Sequence, residues 1–384
     1  MKCLIIRTGS TKVDIKTYNM QEIGLAKALI RKGNICDIIY YAYDGIYKEQ
    51  IIKFDENNRK IKIYWLNGKS ILNNAVFDKK KLIEICNNYD VIQVAEYDQY
   101  TSFFLNKSRI KPVVIYHGPF FCDFKKKYNL VNKYFDKVFL KKYLKIQPNI
   151  ISKSCLAEEY LRKKGFRNVT TIGVGMDKER FTEEETNQEV ENLFKIIGNK
   201  KIILYIGQLE ERRSVDFIIR TFAKVYENEK DTILLIIGKG KDNYVNMCEN
   251  LVKEFGLEEN IIFKTRINQE FLQKIYKRAS VFLLPTKYEI FGMVLLEAMH
   301  FGVPTITTYN GGSSTLIEDK KSGFIIDELD EEKWANQIIQ ILNNDNNDIS
   351  NEAMKKIECF TWDNLVDKFI EVYENSIDIF HKYC

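Results

Sequence analysis

Hydrophobic positions in this chain form short apolar runs separated by longer amphipathic stretches. In the first half, β-rich runs that predict strands lie at 2–7, 35–41, 61–66, 91–95, 113–116, 149–152 and 169–173. Stretches with helical periodicity lie between them, at about 19–32, 79–88, 100–106, 126–144 and 157–164. Strands that alternate with helices predict a mostly parallel sheet covered on both faces.

The second half starts the same pattern again. Its apolar runs lie at 201–207, 232–238, 261–264, 281–284, 304–308 and 324–326, with helices between them. Two such sets predict an α/β chain of two Rossmann-like doubly wound domains, at 1–180 and 181–360. The boundary should fall between Met176 and Asn199, a stretch that includes the acidic residues 182–185. A last helix within 361–384 could cross back to the first domain.

Composition agrees with two globular domains. The chain has 384 residues, of which 45% are hydrophobic and 29% charged. It contains no apolar run near the roughly 20 residues of a membrane span. The apolar stretch at the start reaches Arg7 too early for a secretory signal, whose apolar region has about 7–15 residues. A cytoplasmic protein is the expectation.

Charge and metal-ligand content narrow the possible functions. A net charge of +5 is too mild to predict nucleic-acid binding. The eight cysteines contain no CxxC pair, and only three histidines occur. Neither a disulfide framework nor a zinc site is predicted.

The segment 284–304 (LPTKYEIFGMVLLEAMHFGVP) carries the most informative chemistry. A buried strand is followed by a polar loop with Glu289, and Phe291-Gly292 then opens a helix. The free amides of Phe291, Gly292 and Met293, with the positive end of the helix dipole behind them, would form a seat for a diphosphate. Gly292 lets a ligand approach the backbone closely.

Two glutamates flank this predicted seat. Glu297 lies roughly 7.5 Å along the helix axis from Gly292, where its carboxylate could accept hydrogen bonds from a ribose diol. Glu289 lies on the other side, where a sugar would sit. The alternative is that Glu289 only caps the helix and Glu297 only faces solvent. The apolar residues around Glu297 argue against this, because a buried glutamate needs a partner.

The pattern Glu289-x-Phe291-Gly292-x4-Glu297-Ala298 resembles the two-glutamate signature of glycosyltransferase family 4, also called the glycosyl transferases group 1. The resemblance covers most of the chain and is strongest from about 201 to 326. It implies the GT-B fold, in which two Rossmann-like domains face a cleft. It also implies a nucleotide-sugar donor, retention at the anomeric carbon, and no cofactor or divalent metal.

The resemblance assigns the loop after 201–207 to the leaving diphosphate. Members of the family usually carry Arg and Lys at the positions of Gln208 and Arg213, and Gly at the position of Ser214. Gln208 loses a charge, whereas Arg213 keeps one in a fork suited to phosphate. Because Arg212 is adjacent, which of the two arginines points inward stays open. The alternative is a solvated charged turn.

Further loops fit the same ligand by resemblance. Arg266 and Ile267 are the candidates for contact with the nucleotide base, and Gly9 borders the donor phosphates. The loop 310–315 has two glycines that permit a turn near the donor sugar, but Thr315 stands where the family often has Glu. The Gly-Lys-Gly at 238–240 is interpreted as a structural turn, with Lys239 possible near the donor.

In the first domain, His117 ends the strand 113–116, where a side chain can face the cleft. The resemblance supports contact between His117 and the transferring sugar, and the alternative is a packed core histidine. Glu96, after the strand 91–95, could face the acceptor.

The segment 121–147 combines aromatic residues at helical spacing with many lysines. Its apolar positions are taken as Phe124, Tyr128, Val131, Phe135, Val138 and Phe139. A basic amphipathic helix of this kind is typical of peripheral membrane contact. The alternative is a helix packed on its sheet with a solvated lysine face.

Together these features predict a retaining hexosyltransferase that uses a nucleotide sugar, expected to be a UDP-sugar. Glu289, His117 and Arg213 are the candidate catalytic residues. The acceptor would be a glycan or a lipid-linked glycan, as in cell-surface polysaccharide synthesis, at the inner face of the membrane. The alternatives are a sugar-nucleotide 2-epimerase on the same fold and a non-catalytic subunit of a polysaccharide assembly complex. A nicotinamide dehydrogenase is disfavoured because no complete Gly-x-Gly-x-x-Gly occurs.

Overall fold

The computed structural model of the protein describes residues 1–15, 20–181 and 187–383. The chain divides into two compact units. The first unit consists of residues 1–177 together with the segment that begins at Phe360, and the second unit is Lys178–Cys359. The acidic segment 182–185, placed at the boundary by the sequence, lies outside the described residues.

Strands β1 to β10 belong to the first unit and β11 to β16 to the second. The strands are β1 (Lys2–Ile6), β2 (Ile35–Tyr41), β3 (Lys48–Lys53), β4 (Lys60–Leu66), β5 (Gly68–Ile71), β6 (Asn74–Phe77), β7 (Val91–Ala95), β8 (Val113–His117), β9 (Asn149–Ser152), β10 (Val169–Thr171), β11 (Lys201–Ile206), β12 (Thr232–Ile237), β13 (Ile261–Lys264), β14 (Ala279–Leu284), β15 (Thr305–Thr307) and β16 (Phe324–Ile325).

Helices α1 to α5 and α14 belong to the first unit, and α6 to α13 to the second. The helices are α1 (Gln21–Arg31), α2 (Lys79–Cys86), α3 (Tyr100–Ser108), α4 (Lys126–Ile146), α5 (Cys155–Lys163), α6 (Gln188–Ile197), α7 (Val215–Asn228), α8 (Asp242–Glu254), α9 (Gln269–Arg278), α10 (Met293–His300), α11 (Ser313–Leu316), α12 (Glu331–Asn343), α13 (Asn347–Glu358) and α14 (Trp362–Tyr383). Within the described ranges, no helix has both the length and the apolar character needed to cross a membrane.

The first unit is built on an eight-stranded sheet in the order β10-β9-β8-β7-β1-β2-β4-β3. Its neighbouring strands are parallel except at one edge, where β3 runs antiparallel to β4. Strands β5 and β6 form a separate antiparallel hairpin. The carboxyl ends of β7, β8 and β9 lie side by side, and the residues that follow these three strands therefore meet at one edge.

Helix α14 packs on α1 through a close glycine contact. A Cβ atom built on Gly24 would lie 2.2 Å from Nε1 of Trp362. At the surface, Arg31 pairs with Asp363 at 3.1 Å. Deeper in the unit, the hydroxyl of Tyr373 donates to Oε1 of Gln93 at 2.6 Å. The last helix is thus an integral part of the first unit.

The second unit has a six-stranded, wholly parallel sheet in the order β13-β12-β11-β14-β15-β16. Every residue of β12 is buried, as expected for a strand that helices cover on both faces. Helices α7 and α12 pack together on one side, where Trp334 is fully buried and its ring lies 5.4 Å from that of Phe217. The strand ends of β11 and β14 lie next to each other in this sheet.

Several elements were not predicted individually, among them β3, β5, β6 and α6. Strand β3 is a charged edge strand with alternately exposed residues, and the hairpin β5–β6 lacks an apolar run. Helix α6 lies inside the predicted boundary stretch and belongs to the second unit. Strand β3 gains its order from pairing with β4, and β5 from pairing with β6, which the apolar periodicity of a single segment does not report.

Candidate functional site

The loops after β11 and β14 meet at an ion pair. Because these strands are parallel neighbours, their carboxyl ends lie at the same edge of the sheet. Nη1 of Arg213 lies 2.5 Å from Oε2 of Glu289, and the two side chains are only 14% and 13% exposed. Two of the predicted site residues are therefore in direct contact.

Arg213 keeps a donor that this ion pair does not satisfy. In the part of the chain that the structure describes, Nε of Arg213 is buried without a hydrogen-bond partner, whereas Nη1 is held by the ion pair with Glu289. A buried polar group left in this way costs about 1–3 kcal/mol. An anionic ligand that accepts from the guanidinium would recover that free energy.

The guanidinium of the neighbouring Arg212 is already hydrogen-bonded to nearby loop residues. Its Nε and Nη2 donate to Oε1 of Glu210 at 3.0 and 2.7 Å, and its Nη1 donates to the carbonyl of Tyr288. Nη1 of Arg212 is also 3.8 Å from Oε2 of Glu289. Each guanidinium nitrogen of Arg212 is thus engaged by loop residues, whereas Nε of Arg213 has no partner among the described residues.

Helix α10 begins two residues later than predicted, at Met293, with Gly292 before it at φ +75°. Oε1 of Glu289 accepts from the amides of Ile290 at 3.0 Å and Phe291 at 3.4 Å. The amide of Phe291 is therefore not free, in contrast to the prediction, because the left-handed turn at Gly292 leaves it within the loop. Among the described residues, the amides of Gly292 and Met293 have no hydrogen-bond partner, and they remain available at the helix start.

The glycines of the loop after β15 pack on this turn. The amide of Gly311 donates to the carbonyl of Glu289 at 2.9 Å. A Cβ atom on Gly311 would lie 2.1 Å from the carbonyl oxygen of Ile290, and one on Gly312 would lie 2.2 Å from that of Phe291. These glycines were predicted to permit a turn near the donor sugar, and the structure gives them a packing role. Thr315 donates back to the carbonyl of Gly311 at 3.2 Å.

Glu297 is almost completely buried, with 1% of its surface exposed. The hydroxyl of Tyr276, on α9, donates to its Oε2 at 2.9 Å. Within the described ranges its Oε1 has no partner. Burial raises the pKa of Glu297 well above its ordinary value. Tyr276 was missed from the sequence, because a tyrosine on one helix gives no local sign that it meets a glutamate on the next.

Three other candidates lie at the rim of the second unit. The side chain of Gln208 is exposed, and its carbonyl accepts from the hydroxyl of Tyr205 at 2.8 Å. Arg266 is exposed and Ile267 is 8% exposed, both in the loop after the edge strand β13. This loop is two strands away from β11, so Arg266 and Ile267 are not part of the cluster formed by Arg213 and Glu289.

The turn at 238–240 is held by backbone contacts. The carbonyl of Lys239 accepts from the amide of Leu209 at 2.7 Å. A Cβ atom on Gly238 would lie 1.7 Å from the carbonyl oxygen of Gly207. The glycine is needed because two backbones approach each other here, which agrees with the structural interpretation.

In the first unit, His117 is fully buried and bound to Glu96. Nδ1 of His117 lies 2.8 Å from Oε2 of Glu96, and Nε2 has no partner among the described residues. The imidazole ring stacks on Tyr160 at 6.2 Å. Nζ of Lys153 lies 3.3 Å from Oε1 of Glu96, so the ends of β7, β8 and β9 each contribute one member of this group.

Electrostatics in this group favour the ionised carboxylate. Burial alone would raise the pKa of Glu96, but Lys153 and the hydrogen bond from His117 outweigh it and lower the pKa to about 2. The backbone of Glu96 is left-handed, at φ +52°. This strained conformation directs the carboxylate at His117, so that Glu96 orients the imidazole.

Gly9, the candidate for the donor phosphates in the first unit, pairs with the hairpin β5–β6. It forms an antiparallel bridge to Asn74, and the amide of Ser10 donates to the carbonyl of Asn73 at 2.9 Å. A Cβ atom on Gly9 would meet nothing closer than Nε of Arg7 at 3.8 Å. The space beside Gly9 is therefore open enough for a ligand.

Part of the chain matches the model of a known family. The model of the family described as glycosyl transferases group 1 matches residues 187–358. An uncharacterized glycosyltransferase from Methanocaldococcus jannaschii is 27% identical over 93% of this chain and 93% of its own length. D-inositol 3-phosphate glycosyltransferases of two Corynebacterium species also match, and this chain spans about half of their length, 51% and 52%.

Solved structures share the fold at low sequence identity. Sucrose-phosphate synthase from Thermosynechococcus elongatus superposes with a TM-score of 0.74 at 18% identity, over 99% of this chain and 100% of its own. HepE from Anabaena, in complex with UDP, superposes with a TM-score of 0.70 at 15% identity, over 98% of this chain and 100% of its own. The predicted α/β fold with two Rossmann-like units, of the GT-B class, is thereby confirmed. Residues 187–358, which are less than half of the chain, match the glycosyl transferases group 1, and the comparisons support a glycosyltransferase.

Proposed function

We propose that the chain transfers a hexosyl unit from a nucleotide sugar to a glycan or lipid-linked acceptor, with retention at the anomeric carbon. The observation that carries this proposal is the buried guanidinium of Arg213, whose Nε lacks a hydrogen-bond partner in the described structure. This guanidinium forms an ion pair with Glu289, which lies in the loop just before the start of α10. A cation and helix-start amides at one strand edge suit a diphosphate.

In this proposal, Arg213 and the amides of Gly292 and Met293 hold the diphosphate and stabilise the charge that develops on it as the sugar leaves. Such donors act as fixed electrostatic stabilisers of the transition state. Gln208 contributes a neutral hydrogen bond from the neighbouring loop. The departing phosphate oxygen takes the proton of the acceptor hydroxyl, and no metal takes part.

The two glutamates have separate roles in the proposal. Glu289 positions the donor sugar while it holds Arg213. Glu297 accepts a ribose hydroxyl through Oε1, since its Oε2 is engaged by Tyr276. Ile267 and Arg266 line the approach of the nucleotide base. UDP is the proposed nucleotide, and the UDP bound to the structurally similar HepE supports that choice.

The first unit is proposed to bind the acceptor. The residues that follow β7, β8 and β9 gather Glu96, His117 and Lys153 at one edge of its sheet. If the acceptor is lipid-linked, the enzyme works at the inner face of the membrane, as in cell-surface polysaccharide synthesis.

A thermal-shift screen of UDP-, GDP- and ADP-sugars tests the donor site. A ligand that binds only the folded chain raises the melting temperature, by an amount equivalent to about 2.7 kcal/mol at a hundredfold excess over Kd. We expect a UDP-sugar to raise the melting temperature of the wild type, and Glu297→Ala and Arg213→Gln to reduce the response. Arg212→Gln is the matched control, because the Arg212 guanidinium is already engaged by Glu210. No response to any nucleotide sugar would overturn the proposal.

Incubation of the stabilising donor without acceptor separates transfer from 2-epimerisation. A transferase without acceptor only hydrolyses the donor slowly. A 2-epimerase instead converts the donor into its epimer, which proton NMR resolves. Once an acceptor is found, the anomeric coupling constant of the first product reports retention or inversion.

A further inference from the structure

We propose that the outer face of α4 docks on an anionic lipid surface. The outer face consists of Leu130, Tyr134 and Val138 with the lysines around them. All of these residues lie in the first unit, and the inference holds whichever donor the second unit uses. It concerns a partner surface and not the transfer reaction.

The apolar part of the outer face is a stripe on one side of the helix. Leu130, Tyr134 and Val138 are spaced four residues apart, so their side chains line up along successive turns. They are 55%, 65% and 56% exposed. Exposed apolar side chains are ordinary when they occur singly, but a contiguous stripe marks a contact surface.

Lysines surround the stripe on both sides. Helix α4 carries seven lysines, all exposed: Lys126, Lys127, Lys133, Lys137, Lys141, Lys142 and Lys145. None of the seven has an ion-pair partner among the residues that the structure describes. The helix contains a single acidic residue, Asp136, and that side chain bonds to Lys164 on the inner side. The outer face is therefore uniformly positive.

The opposite side of α4 is already covered by the core of the first unit. Tyr143 is fully buried, and its ring lies 5.2 Å from that of Phe103. The ring of Phe139 lies 4.5 Å from the same phenylalanine. The predicted apolar face, which combined Phe135 and Phe139 with Val138, is thus corrected, because Val138 points to solvent while the two phenylalanines pack inward.

Polar contacts prevent α4 from turning its outer stripe inward. Asn132 is 4% exposed, and its Oδ1 accepts from the hydroxyl of Tyr160 at 2.6 Å. Oδ1 of Asp136 accepts from the hydroxyl of Tyr97 at 3.1 Å. Lys164 binds both Asn132 and Asp136. Rotation of the helix would bury lysines and break this network, so the stripe must find its partner outside the unit.

Aromatic residues extend the face at its amino-terminal end. Phe121 is 59% exposed and Phe124 is 38% exposed, just before α4 begins. Aromatic and aliphatic side chains between lysines fit the boundary between lipid headgroups and acyl chains. Nucleic acid would use the lysines but not the Leu130 and Val138 side chains, so the combination favours a lipid surface.

Sedimentation of the full chain with vesicles tests the inference. Vesicles of phosphatidylcholine with about 30% phosphatidylglycerol should bind the protein, and pure phosphatidylcholine should not, because each lysine near an anionic surface contributes about a fivefold gain in affinity. Raised salt should release the protein. The triple change Lys133→Gln, Lys137→Gln and Lys141→Gln should lower the affinity at least tenfold.

The apolar stripe has its own variant and control. Leu130→Gln, Tyr134→Gln and Val138→Gln together should also lower the affinity at least tenfold. The matched control changes three exposed apolar residues elsewhere, Ile196→Gln, Met247→Gln and Ile379→Gln, which are 70%, 44% and 40% exposed in the wild type. A second control replaces three exposed lysines outside α4, Lys195, Lys253 and Lys368, by Gln. Both controls should bind as the wild type does.

Two outcomes would overturn the inference: no binding to anionic vesicles, or equal loss of binding in the control variants. The thermal response to a nucleotide sugar is measured on the same variants. Because α4 is remote in sequence from the donor loops, this response should be retained, which separates loss of membrane docking from failure of the donor site or of folding.

Discussion

The hydroxyl of Tyr276 donates a 2.9 Å hydrogen bond to Oε2 of Glu297, inside the second unit. Glu297 is otherwise surrounded by apolar residues of α10. The pair therefore combines a carboxyl group that resists ionisation with one donor that orients it. This relationship makes the free energy of unfolding depend on pH in a definite direction.

Replacement of Glu297 by Gln should remove that pH dependence. Burial raises the folded pKa of Glu297 well above the ordinary 4.5, so the folded state holds the proton more tightly than the unfolded chain. The stability contributed by the protonated group is present below the ordinary pKa and is lost as pH rises through the folded pKa. In urea denaturation at about pH 5 and about pH 8, the wild type should lose stability relative to Glu297→Gln at the higher pH. If the free energy of unfolding changes equally with pH in the two proteins, Glu297 is not the source of the pH dependence.

Tyr276→Phe should leave Oε2 of Glu297 without its donor. An unsatisfied buried acceptor costs about 1–3 kcal/mol, and the free energy of unfolding should fall by that amount. Tyr309→Phe serves as the control, because Tyr309 is 51% exposed and should change the stability by less than about 0.5 kcal/mol. If both variants unfold at the same urea concentration, the hydrogen bond carries no stability.

Arg213→Gln should weaken the binding of a nucleoside diphosphate more than Arg212→Gln does. Arg213 offers an unsatisfied donor at Nε, whereas the Arg212 guanidinium is bound to Glu210 and the carbonyl of Tyr288. Loss of charge-assisted hydrogen bonds of about 1.5–3 kcal/mol corresponds to roughly a tenfold to hundredfold rise in Kd. Isothermal titration calorimetry with UDP measures the Kd of each variant. A larger rise in Kd for Arg212→Gln than for Arg213→Gln would mean that Arg212, and not Arg213, binds the diphosphate.

Gly311→Ala should disturb the loop that carries Glu289. The added methyl group would lie 2.1 Å from the carbonyl oxygen of Ile290, a contact that forces the backbone apart. We expect a loss of about 1–3 kcal/mol in the free energy of unfolding. Gly9→Ala is the contrasting variant, since its methyl group meets nothing closer than 3.8 Å. It should keep the stability and lower only donor affinity, provided that Gly9 borders the phosphates as proposed.

Glu96→Gln should destabilise the first unit by about 2 kcal/mol near neutral pH, because it leaves Lys153 without its counter-charge and His117 without the carboxylate that it contacts. The pKa of Glu96 is lowered to about 2, so its contribution is present above the ordinary 4.5 and is lost as pH falls toward 2. The difference between wild type and variant should therefore shrink in acid. Glu84→Gln, at a surface pair with Lys81, should change little at any pH.

The loop that carries Glu289 could be located from the sequence because its residue pattern is local. The order Glu289, Phe291-Gly292, Glu297 lies within one strand-loop-helix segment, and a parallel sheet places such a loop at the ligand edge. Arg213, at the end of a neighbouring strand, was assigned to the site by the resemblance to the family. Contacts between neighbouring strands follow from topology, which alternating apolar runs predict well.

What the sequence could not supply were contacts between elements that are not strand neighbours. Tyr276 reaches Glu297 from another helix, and Gly311 packs on Ile290 through backbone atoms alone. Neither leaves a periodic pattern. The orientation of α4 was misjudged at Val138, because apolar residues occur all round that helix and only the core contacts decide which ones are inside.

The return of α14 to the first unit sets the order in which a newly made chain can fold. The complete segment Lys178–Cys359 must leave the ribosome before Trp362 can cover Gly24 on α1. At about 5–20 residues per second, that delay is on the order of 10 s. The second unit, being continuous, is complete when that delay ends, whereas the amino-terminal unit waits with Gly24 on α1 uncovered. Nascent chains should therefore expose α1 to chaperones until synthesis passes α14, which reverses the usual order in which the first domain made is the first to be completed.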